Sequence, residues 1–178
     1  MVGSPRTSRR DEEVAIHEAG HAVLQDRLDL GCESVTIVRD EAEGEEGHAR
    51  HQGASPSDEN AEALLLHAEE AFWLRHATAA YAGGEALRCL GVGAWWAGCA
   101  ADRRTAVDCI RRITEDPASR RHLLGYARRR SRLLVEHYWP EIRTLAGELM
   151  KARTLTGKRV REIVGASIRE RRGGILPF

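Results

Sequence analysis

The stretch from Val14 to Leu24 constrains this chain most, because only three of its side chains are polar: His17, Glu18 and His21. Val14, His17, His21, Leu24 and Leu28 recur at the spacing of one helical face, predicting a helix from Asp11 to about Leu28. Ala15, Ala19, Ala22 and Val23 make the other faces apolar as well. A helix that is apolar nearly all round is a buried helix. Burying a carboxylate and two imidazoles on it is costly unless they are paired or ligate a metal. The chemistry of the chain is therefore expected at these three residues.

The rest of the chain can build the core that such a helix needs. Of 178 residues, 42% are hydrophobic and 30% charged, which suits one domain and excludes fibrous or largely disordered structure. We expect a mainly α domain over 11–172, with a small β-element of one or two short strands beside the His-bearing helix. Residues 1–10 read as a disordered lead-in and 173–178 as a tail. The first ten residues carry no apolar signal core, and the longest uncharged run, Cys89 to Ala101, is too short to span a bilayer. The expectation is a cytoplasmic protein with no membrane insertion. Four cysteines without a C-x-x-C pair fit reduced thiols.

Ser34 to Arg39 is the best strand, and Gly47 to Gln52 is a short second one. Asp40 to Gly47 is an acidic loop. A helix is expected over 59–81, stopped by Gly83 and Gly84, followed by a short helical piece from Glu85 to Leu90. An apolar loop, Gly91 to Gly98, carries Trp95 and Trp96. Beyond it, helices are expected near 102–114, 117–138, 140–153 and 157–172, two of them opened by Pro117 and Pro140.

Charge is divided along the chain. Residues 1–102 hold 8 Lys/Arg and 19 Asp/Glu, and residues 103–178 hold 19 and 8. The net charge of zero gives no bulk pull toward nucleic acid, and none is expected as a partner. The split suits head-to-tail contact between copies, so a homo-oligomer is a candidate state.

His17 to His21 spells H-E-x-x-H. On a helix, positions i and i+4 lie one above the other, so both imidazoles can reach one ion. Glu18 then stands where it can take a proton from metal-bound water. The other reading of these residues is two core histidines bonded to backbone, with Glu18 paired to an arginine. A catalytic zinc site needs a third protein ligand. Asp102, Asp108, Glu85, His48 and His51 are candidates. Ala106, Cys109, Ile110 and Ile113 form the apolar face of the expected 102–114 helix, with Asp102 at its centre and Asp108 pointing away. Asp102 could instead cap that helix. Cys99 lies close enough to be considered as a donor.

The run from Val14 to Val23 resembles the active-site helix of FtsH-type ATP-dependent zinc metalloproteases. Ser34 to Val38 resembles the strand that follows it, and Tyr81 to Gly84 the segment before that family's Gly-rich loop. Gly98 to Asp102 resembles its G-A-x-x-D, and Leu145 to Gly157 with Val160 to Val164 its closing helices. The likeness covers about residues 11 to 165. It implies zinc as cofactor, His17, His21 and Asp102 as its ligands, and Glu18 as general base. It also implies a substrate-holding strand near Gly47 to Gln52, and hexameric rings in the family. This sequence departs from the family in showing no membrane segment and no G-x-x-x-x-G-K-[ST] loop.

The expected function is an ATP-independent zinc endopeptidase acting on unfolded protein or peptide. Trp95, Trp96 and His48 are candidate substrate contacts. The alternative is a non-catalytic, peptidase-like zinc-binding module that recognises protein partners. Arg128 to Arg130 with Arg132 read as a solvated or ion-paired helix face rather than a phosphate site.

Overall fold

The buried helix comes first. In a computed structural model, residues 5–38, 48–51, 62–93 and 98–173 are described, and α1 runs Pro5–Arg27. It starts ahead of Asp11, so residues 5–10, expected as a disordered lead-in, are helical. Pro5 has the fixed φ that suits a first helical position. Ala15, Ala19, Ala22, Val23 and Leu24 are fully buried, which bears out the all-round apolar pattern.

The other elements are β1 (Cys32–Thr36), β2 (His48–His51), α2 (Glu62–Ala80), α3 (Ala82–Leu90), α4 (Ala100–Arg111), α5 (Pro117–His137), α6 (Trp139–Ala152), β3 (Thr154–Thr156) and α7 (Gly157–Gly173). The fold is mainly α with one small antiparallel sheet, ordered β2-β1-β3. The sheet has three strands where one or two were expected. β3 pairs Leu155 with Val35 and Thr154 with Thr36. Alternation divides the two faces. Val35 and Leu155 are buried in the core, while the Thr36 and Thr154 hydroxyls bond to each other at 2.7 Å on the other face.

Two apolar clusters hold the helices. The larger joins α1 and β1 to α6 and α7 through residues such as Leu24, Val35, Ile142, Leu145, Leu149 and Val160. The smaller joins α2, α4 and α5 through Ala77, Ala106, Ile110 and Ala127. Ion pairs bind the outer surfaces. Arg153, a residue with φ of 65°, reaches Asp11 at 2.8 Å and so ties the end of α6 to α1.

Gly83 and Gly84, expected to stop the preceding helix, lie inside α3 instead. The break falls at Tyr81, and the glycines serve close packing. Gly157 has a similar duty where α7 meets β1. A Cβ there would run into the Cys32 carbonyl oxygen. Gly157→Ala is expected to cost about 1–3 kcal/mol by overpacking, more than the roughly 1 kcal/mol that alanine gains in a helix. Urea unfolding checks this, and a wild-type midpoint would mean that α7 and β1 do not approach this closely.

Among the described residues, no helix is long and apolar enough to cross a membrane.

Candidate metal centre

Helical spacing on α1 stacks His17 and His21, whose Nε2 atoms lie 3.2 Å apart. α4 brings the third group. Asp102 stands in its first turn, where the helix dipole favours a carboxylate. Asp102 Oδ2 is 3.3 Å from His17 Nε2, and Oδ1 is 3.5 Å from His21 Nε2. Glu18 Oε1 lies 4.0 Å from His17 Nε2 on a buried side chain.

These spacings suit a shared cation better than a set of hydrogen bonds. Ligands about 2.0–2.1 Å from a tetrahedral ion stand about 3.3 Å from one another. The three contacts between His17, His21 and Asp102 are 3.2, 3.3 and 3.5 Å. Asp102 Oδ2 is buried and accepts no well-directed hydrogen bond, although His17 lies so near. A buried oxygen left in that condition is costly unless something positive meets it. The donor set of two imidazoles and one carboxylate, with a base beside it, fits zinc.

The tautomer also fits. The last carbonyls of a helix lack intrahelical partners. One of them, Ala79 O at the end of α2, accepts the Nδ1 proton of His21 at 2.9 Å. Neutral His21 therefore presents the Nε2 lone pair to the site, and its ring is held in place. Burial opposes a charge on His21, but the Asp102 carboxylate outweighs it and raises the imidazole pKa to about 9. Burial likewise pushes Asp102 up, yet the charge on His21 beside it holds its carboxyl well below the usual carboxylate range. The pocket thus favours one positive charge between these groups. A proton and a divalent cation compete for that place.

Gly83 forms the floor. A Cβ there would stand 2.5 Å from His17 Cε1 and 2.5 Å from His21 Nε2. Gly20, inside the motif, lets α3 close on α1. Its Cβ would lie 2.9 Å from both the Ala82 carbonyl oxygen and the Ala86 methyl.

The chain matches no family model, and no curated protein matches it. The metal assignment therefore rests on the chain's own atoms.

The remaining candidates fall elsewhere. Asp108 is exposed and pairs with Arg111 at 3.2 Å. Glu85 is buried, but it pairs with Arg88 at 2.7 Å and Arg128 at 3.2 Å, away from any ligand role. Arg132 pairs with Glu136 at 3.1 Å, so this basic face of α5 is ion-paired. Asp102 does not cap α4, because the N-cap position belongs to Cys99. His48 and His51 lie on β2, and their side chains are outside the described residues, as are Trp95 and Trp96. All four cysteines are free thiols.

Cys99 is closer to the centre than its weight in the sequence suggested. His17, Cys99 and Asp102 each place a donor atom within 4.8 Å of the other two. The i, i+3 spacing of Cys99 and Asp102 was the available signal. Burial pushes the Cys99 thiol pKa up to about 11.

Proposed function

We propose that this protein is a zinc-dependent endopeptidase, independent of ATP, that hydrolyses peptide bonds in unfolded or flexible polypeptides. One observation carries this reading. Asp102, far along the chain, meets the two histidines at ligand spacing, beside a buried glutamate of the same motif.

Bound by His17, His21 and Asp102, zinc would supply a Lewis acid for the scissile carbonyl and lower the pKa of water toward neutrality. The chain's own residues do the rest. Glu18 takes the proton of the attacking water on a carboxylate oxygen and passes it to the nitrogen of the leaving amine. Ala79 fixes the His21 ring, and Gly83 leaves room for both imidazoles to converge. β2 supports the substrate assignment. It is the outer strand on its side of the described sheet, and Gln25, one turn beyond His21, donates to its Ala49 carbonyl at 3.3 Å. An extended peptide added along that edge would be held by main-chain bonds next to the metal.

The likeness of residues 11 to 165 to FtsH-type peptidase domains supports the same assignment. These 178 residues carry no phosphate-binding loop of their own to drive unfolding, and the substrates we propose for them are chains already unfolded. Free thiols support a reducing compartment, and we place the protein in the cytoplasm. The reading as a partner-binding zinc module leaves Glu18 without a task. The test is hydrolysis of unfolded casein by zinc-loaded protein, with a tightly folded protein alongside and with or without ATP. Casein cleaved equally with or without ATP, and the folded protein spared, is the expected result. Intact casein would overturn it.

A further inference from the structure

Cys99 occupies an unusual position. Helix N-caps favour residues whose side chain bonds back to the first turn, chiefly Ser, Thr, Asp and Asn. Cys99 takes the N-cap of α4, and its side chain makes no capping bond. It is buried, and its sulfur points into the group formed with His17 and Asp102. Asp102 Oδ2, in that same group, is buried without a well-directed hydrogen bond. A tetrahedral ion holding a thiolate at about 2.3 Å and an imidazole at about 2.0–2.1 Å sets sulfur and nitrogen about 3.6 Å apart. The donor atoms of Cys99, His17 and Asp102 lie within 4.8 Å of one another, whereas His21 is outside that group.

Resting on the metal-centre reading above, we propose that Cys99 is a fourth protein ligand, so that the resting site carries sulfur where a catalytic site would carry water. Ligation forms a metal–sulfur bond and breaks the S–H bond, the proton leaving to solvent. The donor set becomes two imidazoles, one carboxylate and one thiolate, which favours zinc over harder ions such as magnesium or manganese. Water and substrate then gain access only when the sulfur swings away. The site is self-blocked, and Cys99 sets its resting activity without taking part in the proton transfers of Glu18.

Cobalt(II) makes the ligand visible, because cobalt bound to thiolate shows an intense near-ultraviolet charge-transfer band that nitrogen and oxygen donors lack. The expected result is this band in cobalt-loaded wild type, with about one cobalt per chain. Cys99→Ala and Cys99→Ser should both lose it while keeping the cobalt, and their zinc forms should hydrolyse casein severalfold faster. Cobalt bound by wild type without the band would overturn the proposal and leave the peptidase reading untouched. A band that survives in both variants would assign the sulfur to another cysteine and overturn it equally. Band loss with unchanged casein hydrolysis would overturn the self-blocked state. If wild type and both variants leave casein intact while the band behaves as expected, the peptidase reading falls and the ligand assignment stands. Circular dichroism of each variant establishes that it is folded.

Discussion

Glu18→Gln is expected to lower casein hydrolysis by about 10²–10⁴-fold, the usual contribution of a positioned general base, with zinc content unchanged. The substitution keeps the shape of the side chain and removes only its ability to take a proton. Glu18 Oε1 stands 4.0 Å from His17 Nε2, near the metal ligands but not hydrogen-bonded to them, so the ligand geometry should survive. The effect should appear in kcat rather than KM, because the proton is transferred in the transition state. A Glu18→Gln variant that cleaves casein at the wild-type rate would remove Glu18 from the mechanism. A variant that loses both activity and zinc would mean that Glu18 supports the site rather than acting as base.

Gly83→Ala should have the second largest effect, and it reaches the metal without replacing a ligand. The added methyl would lie 2.5 Å from carbon Cε1 of His17 and from Nε2 of His21, well inside contact distance. The His21 ring cannot turn aside without breaking its bond to Ala79, and α3 cannot retreat without opening its seam with Gly20. Alanine would gain roughly 1 kcal/mol of helix propensity, but overpacking of about 1–3 kcal/mol or more should exceed it. Loss of ligand support of this kind lowers metal affinity by about 10–100-fold. Competition with a zinc chelator and thermal unfolding of the metal-free protein separate the two effects. Wild-type values in both would show that the rings do not rest on Gly83.

The parts of the site that follow from local periodicity were legible in the sequence. The apolar run around His17 and His21 announces a buried helix, and α1 is buried as expected. The phase of α4 separates Asp102 from Asp108 before any coordinates are known, and Asp108 does point to solvent. What escaped depends on contacts between distant segments. Thr154 to Thr156 is too short to show an alternating pattern, and it becomes a strand only because β1 offers it partners. Gly83 and Gly84 look like a helix stop because glycine is a local breaker, whereas Gly83 answers to imidazoles on another helix. Glu85 looks like a spare carboxylate until Arg88 and Arg128 arrive beside it. Cys99 shows only its i, i+3 spacing to Asp102 in sequence, and its place near His17 comes from the way α4 docks.

The central claim is that His17, His21 and Asp102 hold one metal ion, and zinc content measured by elemental mass spectrometry tests it most directly. Purified wild type should carry about one zinc per chain, as a single site with these ligands requires, and His17→Ala, His21→Ala and Asp102→Ala should each carry little or none. A wild-type protein that stays free of zinc even after incubation with the metal, or variants that keep a full complement, would contradict the account.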